Sequence, residues 1–413
     1  MEHRYRTLID LAENRLRERF SALEEVALAN QAKVLQAFKD SGIREYHFKG
    51  STGYGYDDAG REALDAVYAR VFAADAALVR QQFVSGTHAI GAALLGNLRA
   101  GDELISITGT PYDTLRGLIG AGNIHPTTGS LVDLGITYRE YALTEDGNPD
   151  LPSILSGITR ATKMLLVQRS RGYSLRPALS MAKLANFCQG IREKYPEIII
   201  FVDNCYGEFV EELEPTQVGA DLIAGSLIKN PGGGLASGGG YLAGRRDLVE
   251  QGAYRLTMPG LGGKMGAVSG EFLRLTLQGF FMAPHVVSQA LKVACLFASV
   301  MQDAGYQVLP DPLEERSDIV QAIVVGDTEK LLKFAIAFQG ASPVDAHLHP
   351  EPWIMPGYQD PVVMASGSFI QGSSIELSLD APLREPYIVF LQGGLSYEHG
   401  KLVLAEVLQY LGL

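Results

Sequence analysis

The chain has 413 residues, more than a single hydrophobic core usually serves, so one large domain and one smaller domain are expected. Hydrophobic residues make up 46% and charged residues 20%, which excludes an intrinsically disordered chain. The net charge of −12 argues against a nucleic-acid or anionic-membrane surface and leaves small ligands, anionic ones included, as expected partners.

The first twenty residues lack the apolar core of a signal peptide, and Glu2, Asp10, Glu13 and Glu18 oppose a transit peptide. No run is expected to reach bilayer-spanning length. Cys188, Cys205 and Cys295 are odd in number and widely spaced, which suggests neither a disulfide framework nor a zinc ribbon, and a reducing, cytoplasmic setting is expected. Over residues 4–39, Leu8, Leu11, Leu16, Phe20, Leu23, Val26, Val34, Leu35 and Phe38 recur at helical spacing and predict two amphipathic helices. With the loop that follows, they form an N-terminal region, residues 1–60, expected at a subunit interface.

HFKGSTGYGYDDAG, residues 47–60, reads as a loop exposing Tyr54 and Tyr56, with Asp57 or Asp58 capping the next helix. Packing alone would account for such tyrosines. From Ala76 the order is a strand, then Ser85-Gly86-Thr87, then a small-residue helix. The glycine would let the backbone approach an anion, and the helix N-terminus would face it; an ordinary Ser/Thr cap is the alternative. Residues 102–120 give another strand and a turn that places Tyr112 at a strand's carboxyl end, the edge where open α/β sheets bind ligands.

Strand signals recur at 137–141 and 163–168, each followed by turn and helix. The alternation predicts an α/β fold with a mostly parallel sheet covered on both faces. Arg169, Arg171 and Arg176 follow the second of these strands. Arg171 is a candidate for gripping a carboxylate, with an ordinary salt bridge as the alternative.

The stretch from Ile198 to Gly244 carries the strongest chemical signal. One β-branched run delivers Asp203, and a second apolar run, ADLIAGSLI, delivers Lys229 into a glycine-rich loop. An acid at one strand end and a lysine at another suit pyridoxal phosphate: the acid keeps the ring nitrogen protonated and the lysine forms a Schiff base with the aldehyde. The apolar run is expected to bury and neutralise the lysine. Lys264, in GLGGK, is the rival; that string lacks the first glycine and the following Ser/Thr of a P-loop.

From about Pro284 a long helix and then short strands predict a smaller α+β domain. The expected division is 61–285 for the large domain and 286–413 for the small one. His347 and His349 have no companions to complete a metal site, and no metal is expected. Arg384 lies in a turn from which it could clamp an α-carboxylate.

Taken together, VDN at 202–204, SGTHAI at 85–90, Tyr112 and Ser226-x-x-Lys229 resemble the fold-type-I pyridoxal phosphate enzymes of cysteine and methionine metabolism. VDNCYGEF, SLIKNPGGG, MPGLGG, QGSSIEL and LQGGLSYEHGK are similar to the methionine γ-lyase-like group, also called aluminium resistance proteins. The resemblance implies an aminotransferase-type large domain and pyridoxal 5'-phosphate as cofactor. It makes Lys229 the lysine that carries the cofactor and Asp203 the partner of the ring nitrogen. Ser85, Gly86, Thr87 and Ser226 match the phosphate cradle. Tyr112 matches a tyrosine that stacks on the ring and donates a proton to the leaving group. Tyr54 matches a tyrosine lent by a neighbouring subunit, which implies a homo-oligomer, a tetramer. Two positions depart from the γ-lyases proper: Ile228 stands where they carry Thr, and Tyr56 where they carry Arg.

The implied activity is carbon–sulfur lysis of a sulfur amino acid of the methionine, cystathionine or cysteine type, by β- or γ-elimination. Transamination, side-chain replacement and a weakly active cofactor-binding protein of a stress response are the alternatives.

Overall fold

The computed structural model describes residues 2–121, 128–355, 358 and 360–413. The apolar runs become the strands of a seven-stranded sheet: β1 (Ala76–Arg80), β2 (Glu103–Ser106), β3 (Thr137–Glu140), β4 (Thr162–Gln168), β5 (Ile199–Asp203), β6 (Leu222–Ser226) and β7 (Gly240–Gly244). Their spatial order is β1-β7-β6-β5-β4-β2-β3. Only β7 runs against the rest, pairing antiparallel with both β1 and β6. β2, β5, β6 and β7 are buried along their whole length, which is why they read as continuous apolar runs and not as alternating ones.

Ten α-helices accompany the strands: α1 (His3–Asp40), α2 (Ala59–Val71), α3 (Gly86–Asn97), α4 (Asp113–Ile119), α5 (Leu151–Gly157), α6 (Met181–Arg192), α7 (Arg246–Leu256), α8 (Gly270–Asp303), α9 (Thr328–Gly340) and α10 (Tyr397–Leu411). Alternation along β5 divides the core in two. Ile200 and Val202 join the cluster made with α2, α6 and α8. Ile199 and Phe201 face the other way, towards α3, α4 and α7. By the same period of two, Asp203 at the end of β5 falls on the α3 side. Ser226, following Leu222 and Ala224 along β6, falls on that side too.

Residues 4–39 form one helix, not the two expected. No glycine or proline interrupts them, and the single rod packs along α8, to which Arg15–Asp303 and Lys292–Glu24 ion pairs also tie it. Its stripe of Tyr5, Ile9, Ala12, Leu16 and Leu23 is buried, while Leu8, Leu11, Leu28 and Leu35 remain exposed on the other side. The expectation that no run reaches bilayer length is also corrected. α8 is long and apolar enough, but 72% of its most apolar window is buried inside the fold, as befits a core helix. α8 starts at Gly270 and continues through Pro284, so it runs unbroken across 285/286, where the two domains were expected to meet.

A second, fully antiparallel sheet has the order β10-β11-β12-β9-β8, from β8 (Gln307–Leu309), β9 (Val320–Val324), β10 (Val362–Ser366), β11 (Ser378–Pro382) and β12 (Ile388–Gln392). On β11, Leu379 and Ala381 point into the main core. Asp380 between them, opposite Phe390 of β12, therefore lies on the other face.

Candidate active site

The carboxyl ends of β4, β5 and β6 bring their last residues side by side. Gln168 pairs in register with Asp203, and Asp203 with Ala224, two residues before Ser226. Above this edge lies a cavity of about 530 Å³, lined by Asp203, Ser226 and Lys229 from the large sheet's edge, Gly86 and Thr87 from the start of α3, and Tyr112.

Each of these side chains is placed by a local device. Ser85 caps α3 by accepting the His88 N–H at 3.1 Å, leaving the Gly86 and Thr87 amides at the positive end of the helix dipole. A Cβ on Gly86 would stand 3.0 Å from the Ser226 Cβ and 3.6 Å from the Cys205 Sγ, so glycine here keeps open the niche between the loop and β6. Tyr112 precedes α4. Its N–H donates to the Gln168 Oε1 at 2.9 Å, and its hydroxyl shares a 3.1 Å hydrogen bond with Thr87 Oγ1.

The turn after Asp203 is built around a buried cation. Arg169 donates to Asn204 Oδ1 at 2.9 Å and to the Gly207 carbonyl at 2.8 Å, and it pairs with Glu211 at 3.0 Å. Glu214 accepts from Asn204 Nδ2 at 3.0 Å and from the Phe209 N–H at 2.9 Å. A Cβ on Gly207 would collide with the Arg169 side chain at 2.5 Å. Tyr206 is held at φ 70°, an uncommon conformation for an aromatic residue, and its ring lies beneath the Lys229 ammonium, 4.0 Å from centroid to Nζ.

Asp203 is 3% exposed and accepts the Cys205 N–H at 3.1 Å. Burial pushes its pKa up, against the pull of Lys229 and the Cys205 hydrogen bonds. Lys229 behaves differently from the sequence expectation. Burial does oppose its charge, but the Cys205 thiol, the Tyr206 phenol, Asp203 and Tyr112 crowd round it and together hold its pKa well above the usual lysine range. The apolar run places the lysine without neutralising it. Tyr112 is pushed above the ordinary phenol range, chiefly by burial and then by Asp203, so it keeps its proton.

These residues fit pyridoxal phosphate. The donor set offers a hydroxyl and helix-terminal amides to a phosphate, a buried carboxylate to a ring nitrogen and one amine to an aldehyde, and the Gly86 niche is space that a side chain would fill.

Other sequence candidates lie elsewhere. Lys264 is exposed in a short turn, and its carbonyl accepts from Arg61. Tyr54 is 69% exposed on its loop and does not line the cavity of its own chain. Neither arginine expected at the substrate reaches it. Arg171 is buried against Asp318, which accepts its backbone N–H at 2.9 Å and faces its guanidinium at 3.7 Å. Arg384 lines a separate 160 Å³ cleft and pairs with Asp360 at 3.0 Å. Each cation faces a carboxylate outside the cavity. His347 and His349 are exposed in turns.

Sequence reasoning missed Tyr173, Tyr206, Tyr358, Asp380 and Gln392, all of which line the cavity. Tyr206 lies three residues after Asp203 and could have been suspected; the small-sheet residues carry no local signal.

The family profile described as Methionine gamma-lyase matches residues 5–412. The Bacillus subtilis (strain 168) protein YnbB, itself uncharacterized, is 48% identical over 389 residues, 94% of this chain and 92% of its own. A Clostridium acetobutylicum crystal structure, described as a candidate cystathionine beta-lyase involved in aluminum resistance, superposes with a TM-score of 0.95 at 47% identity, covering 99% of this chain and 96% of that one. A Clostridium novyi NT structure, described as a carbon-sulfur lyase involved in aluminum resistance, gives 0.94 at 47% identity, covering 100% and 96%. The pyridoxal-5'-phosphate dependent protein YhfS of Escherichia coli, at 17% identity and a TM-score of 0.63, shares the fold alone, covering 94% and 97%. The chain belongs to the methionine gamma-lyase family.

Proposed function

We propose that this chain is a pyridoxal 5'-phosphate-dependent carbon–sulfur lyase that eliminates a thiol from a sulfur amino acid. The observation that carries the reading is the meeting of Asp203, Lys229, Ser226 and the N-terminus of α3 around one cavity at the sheet's carboxyl edge. The cofactor, when bound, supplies an electron sink for the pair released at the substrate's Cα.

Every other step is assigned to the chain's own groups. The Gly86 and Thr87 amides and the Ser226 hydroxyl would hold the cofactor's phosphate, and Asp203 would keep its ring nitrogen protonated. Lys229 Nζ, as the neutral amine, would take the Cα proton. Tyr112, protonated and tethered to Thr87, hands its hydroxyl proton to the departing sulfur. The unsaturated amino acid left behind adds one water and releases ammonia and a 2-oxo acid.

The reading includes self-association. Among the described residues, the charged groups that line the cavity are Asp113, Asp203, Asp380 and Lys229, with no arginine among them. A phosphate and a substrate carboxylate need more positive charge than one lysine supplies. A second copy of the chain, lending the exposed Tyr54 of its loop, would add a hydroxyl donor for the phosphate.

The test is borohydride reduction of the yellow protein, with peptide mapping and a product assay on a panel of sulfur amino acids. The expected result is a label on Lys229 that is absent from Lys229→Ala, together with equal release of oxo acid and ammonia. A label that persists in Lys229→Ala, or a protein that takes up no cofactor, overturns the proposal.

A further inference from the structure

The small-sheet wall of the cavity carries an acid. Leu379 and Ala381 anchor β11 in the core and leave Asp380 on the cavity face, where it is 8% exposed. Gln392 Nε2 donates to its Oδ2 at 2.6 Å, and the Tyr173 side chain lies close by. A carboxylate has about four acceptor directions, so the Gln392 donor leaves room for another.

Three tyrosines lie near this acid. Tyr173 packs against Tyr358 with ring centroids 6.1 Å apart, and both line the cavity together with Tyr206, whose ring already carries one ammonium, that of Lys229. Phenol rings present negative faces, and several of them beside a carboxylate make a receptor for a cation. Lys229 is engaged at the reacting carbon in the reading above. Lys229 follows β6 of the large sheet and Asp380 lies on β11 of the small one; the lysine's charge acts on the acid, with no ion pair between them among the described residues.

We propose that Asp380, with the rings of Tyr173, Tyr206 and Tyr358, binds a primary ammonium at the far end of the substrate's leaving arm. Resting on the lyase reading, this names the preferred substrate class: thioether amino acids whose sulfur carries a second, amine-bearing chain. Asp380 is then a specificity-determining residue. A neutral arm would leave the remaining acceptor directions of the carboxylate unpaired, and an anionic arm would face it directly.

The test compares three cysteine thioethers of nearly equal size on the holoenzyme: S-(2-aminoethyl)-L-cysteine, S-propyl-L-cysteine and S-(carboxymethyl)-L-cysteine. Their kcat/KM values are measured, and the cofactor's visible band is titrated so that binding is read even without turnover. The amine arm is expected to be preferred over the propyl arm by about tenfold or more, with the carboxylate arm poorest. In Asp380→Asn the amine-to-propyl ratio should fall to near unity. A wild-type ratio within about threefold, a preference for the carboxylate arm, or an unchanged ratio in Asp380→Asn overturns the proposal; the first is also what a cation lent by a second subunit to Asp380 would give. If Asp380→Asn fails to fold, the wild-type comparison decides alone. Selective binding of the amine arm without any elimination supports this inference and sinks the lyase reading.

Discussion

The Nζ of Lys229 stands 4.0 Å from the centre of the Tyr206 ring, so the amine proposed for the covalent role rests on an aromatic face before any cofactor arrives. Burial works against its charge, yet the neighbouring acids hold its pKa above the ordinary lysine range. Because only the neutral amine attacks an aldehyde, uptake of pyridoxal phosphate by the cofactor-free protein should quicken about tenfold per pH unit through neutrality and beyond. Tyr206→Leu removes a cation–ring contact worth ~0.5–2 kcal/mol, which should speed uptake at neutral pH by roughly twofold to thirtyfold. Stopped-flow absorbance measures both. A pH-independent rate, or slower uptake in Tyr206→Leu, would show that the ring does not hold the ammonium.

Tyr112 and Thr87 make a second testable pair. Tyr112→Phe keeps the flat ring and removes the hydroxyl that shares a 3.1 Å hydrogen bond with Thr87. If that hydroxyl delivers the proton to sulfur, kcat should fall by about 10²–10⁴, with cofactor affinity nearly unchanged. The loss should shrink for substrates with more acidic thiols, which need no proton to leave. An equal loss across such a series would point to a merely structural hydroxyl.

The legibility of this site follows from how each residue is placed. Asp203 and Ser226 could be read because a buried parallel strand is an unbroken apolar run, and the polar residue that ends it marks the carboxyl edge; the Ser85-Gly86-Thr87 loop could be read from the helix it opens. Arg171 and Arg384 do not line the cavity, because an arginine's place is set by the carboxylate it meets, and Asp318 is far from Arg171 in sequence. Asp380 was invisible for the same reason. Its cavity face is defined by Tyr173, more than 200 residues earlier, and by a strand alternation too short to read without its neighbours. The single long α1 was read as two helices because its partner α8 lies far along the chain.

The turn that holds Asp203 and Tyr206 depends on the Arg169–Glu214 neighbourhood, in which both side chains are fully buried. Glu214→Ala removes the acceptor of Asn204 Nδ2 and of the Phe209 N–H and leaves a buried guanidinium with less compensation. Breaking a buried pair from one side costs about 3–5 kcal/mol. The denaturant midpoint should therefore drop strongly, and cofactor affinity should weaken because the turn positions Asp203. A midpoint near that of the wild type would mean that Glu211 alone compensates Arg169.

Glu208 gives the chain a pH dependence of its own. It is fully buried, its Oε1 accepts from the Tyr241 hydroxyl at 2.8 Å, and burial pushes its pKa from 4.5 up to about 8. The unfolded chain releases this proton near 4.5 and the folded chain only near 8. Between those values the native state binds more protons, so stability falls as pH rises through the window and levels off above it. At ~1.4 kcal/mol per unit, the contribution is several kcal/mol at most. Glu208→Gln keeps an acceptor for Tyr241 and cannot ionise, so its unfolding free energy should lose part of this slope and exceed that of the wild type at pH 8. Asp203 and Asp380, also raised by burial, add slope of the same sign in both proteins, so the difference between the two curves isolates Glu208. Denaturant titrations of the cofactor-free proteins from pH 5 to pH 9 provide the comparison. Parallel curves would mean that Glu208 is ionised in the fold, with a compensating cation closer than the structure shows.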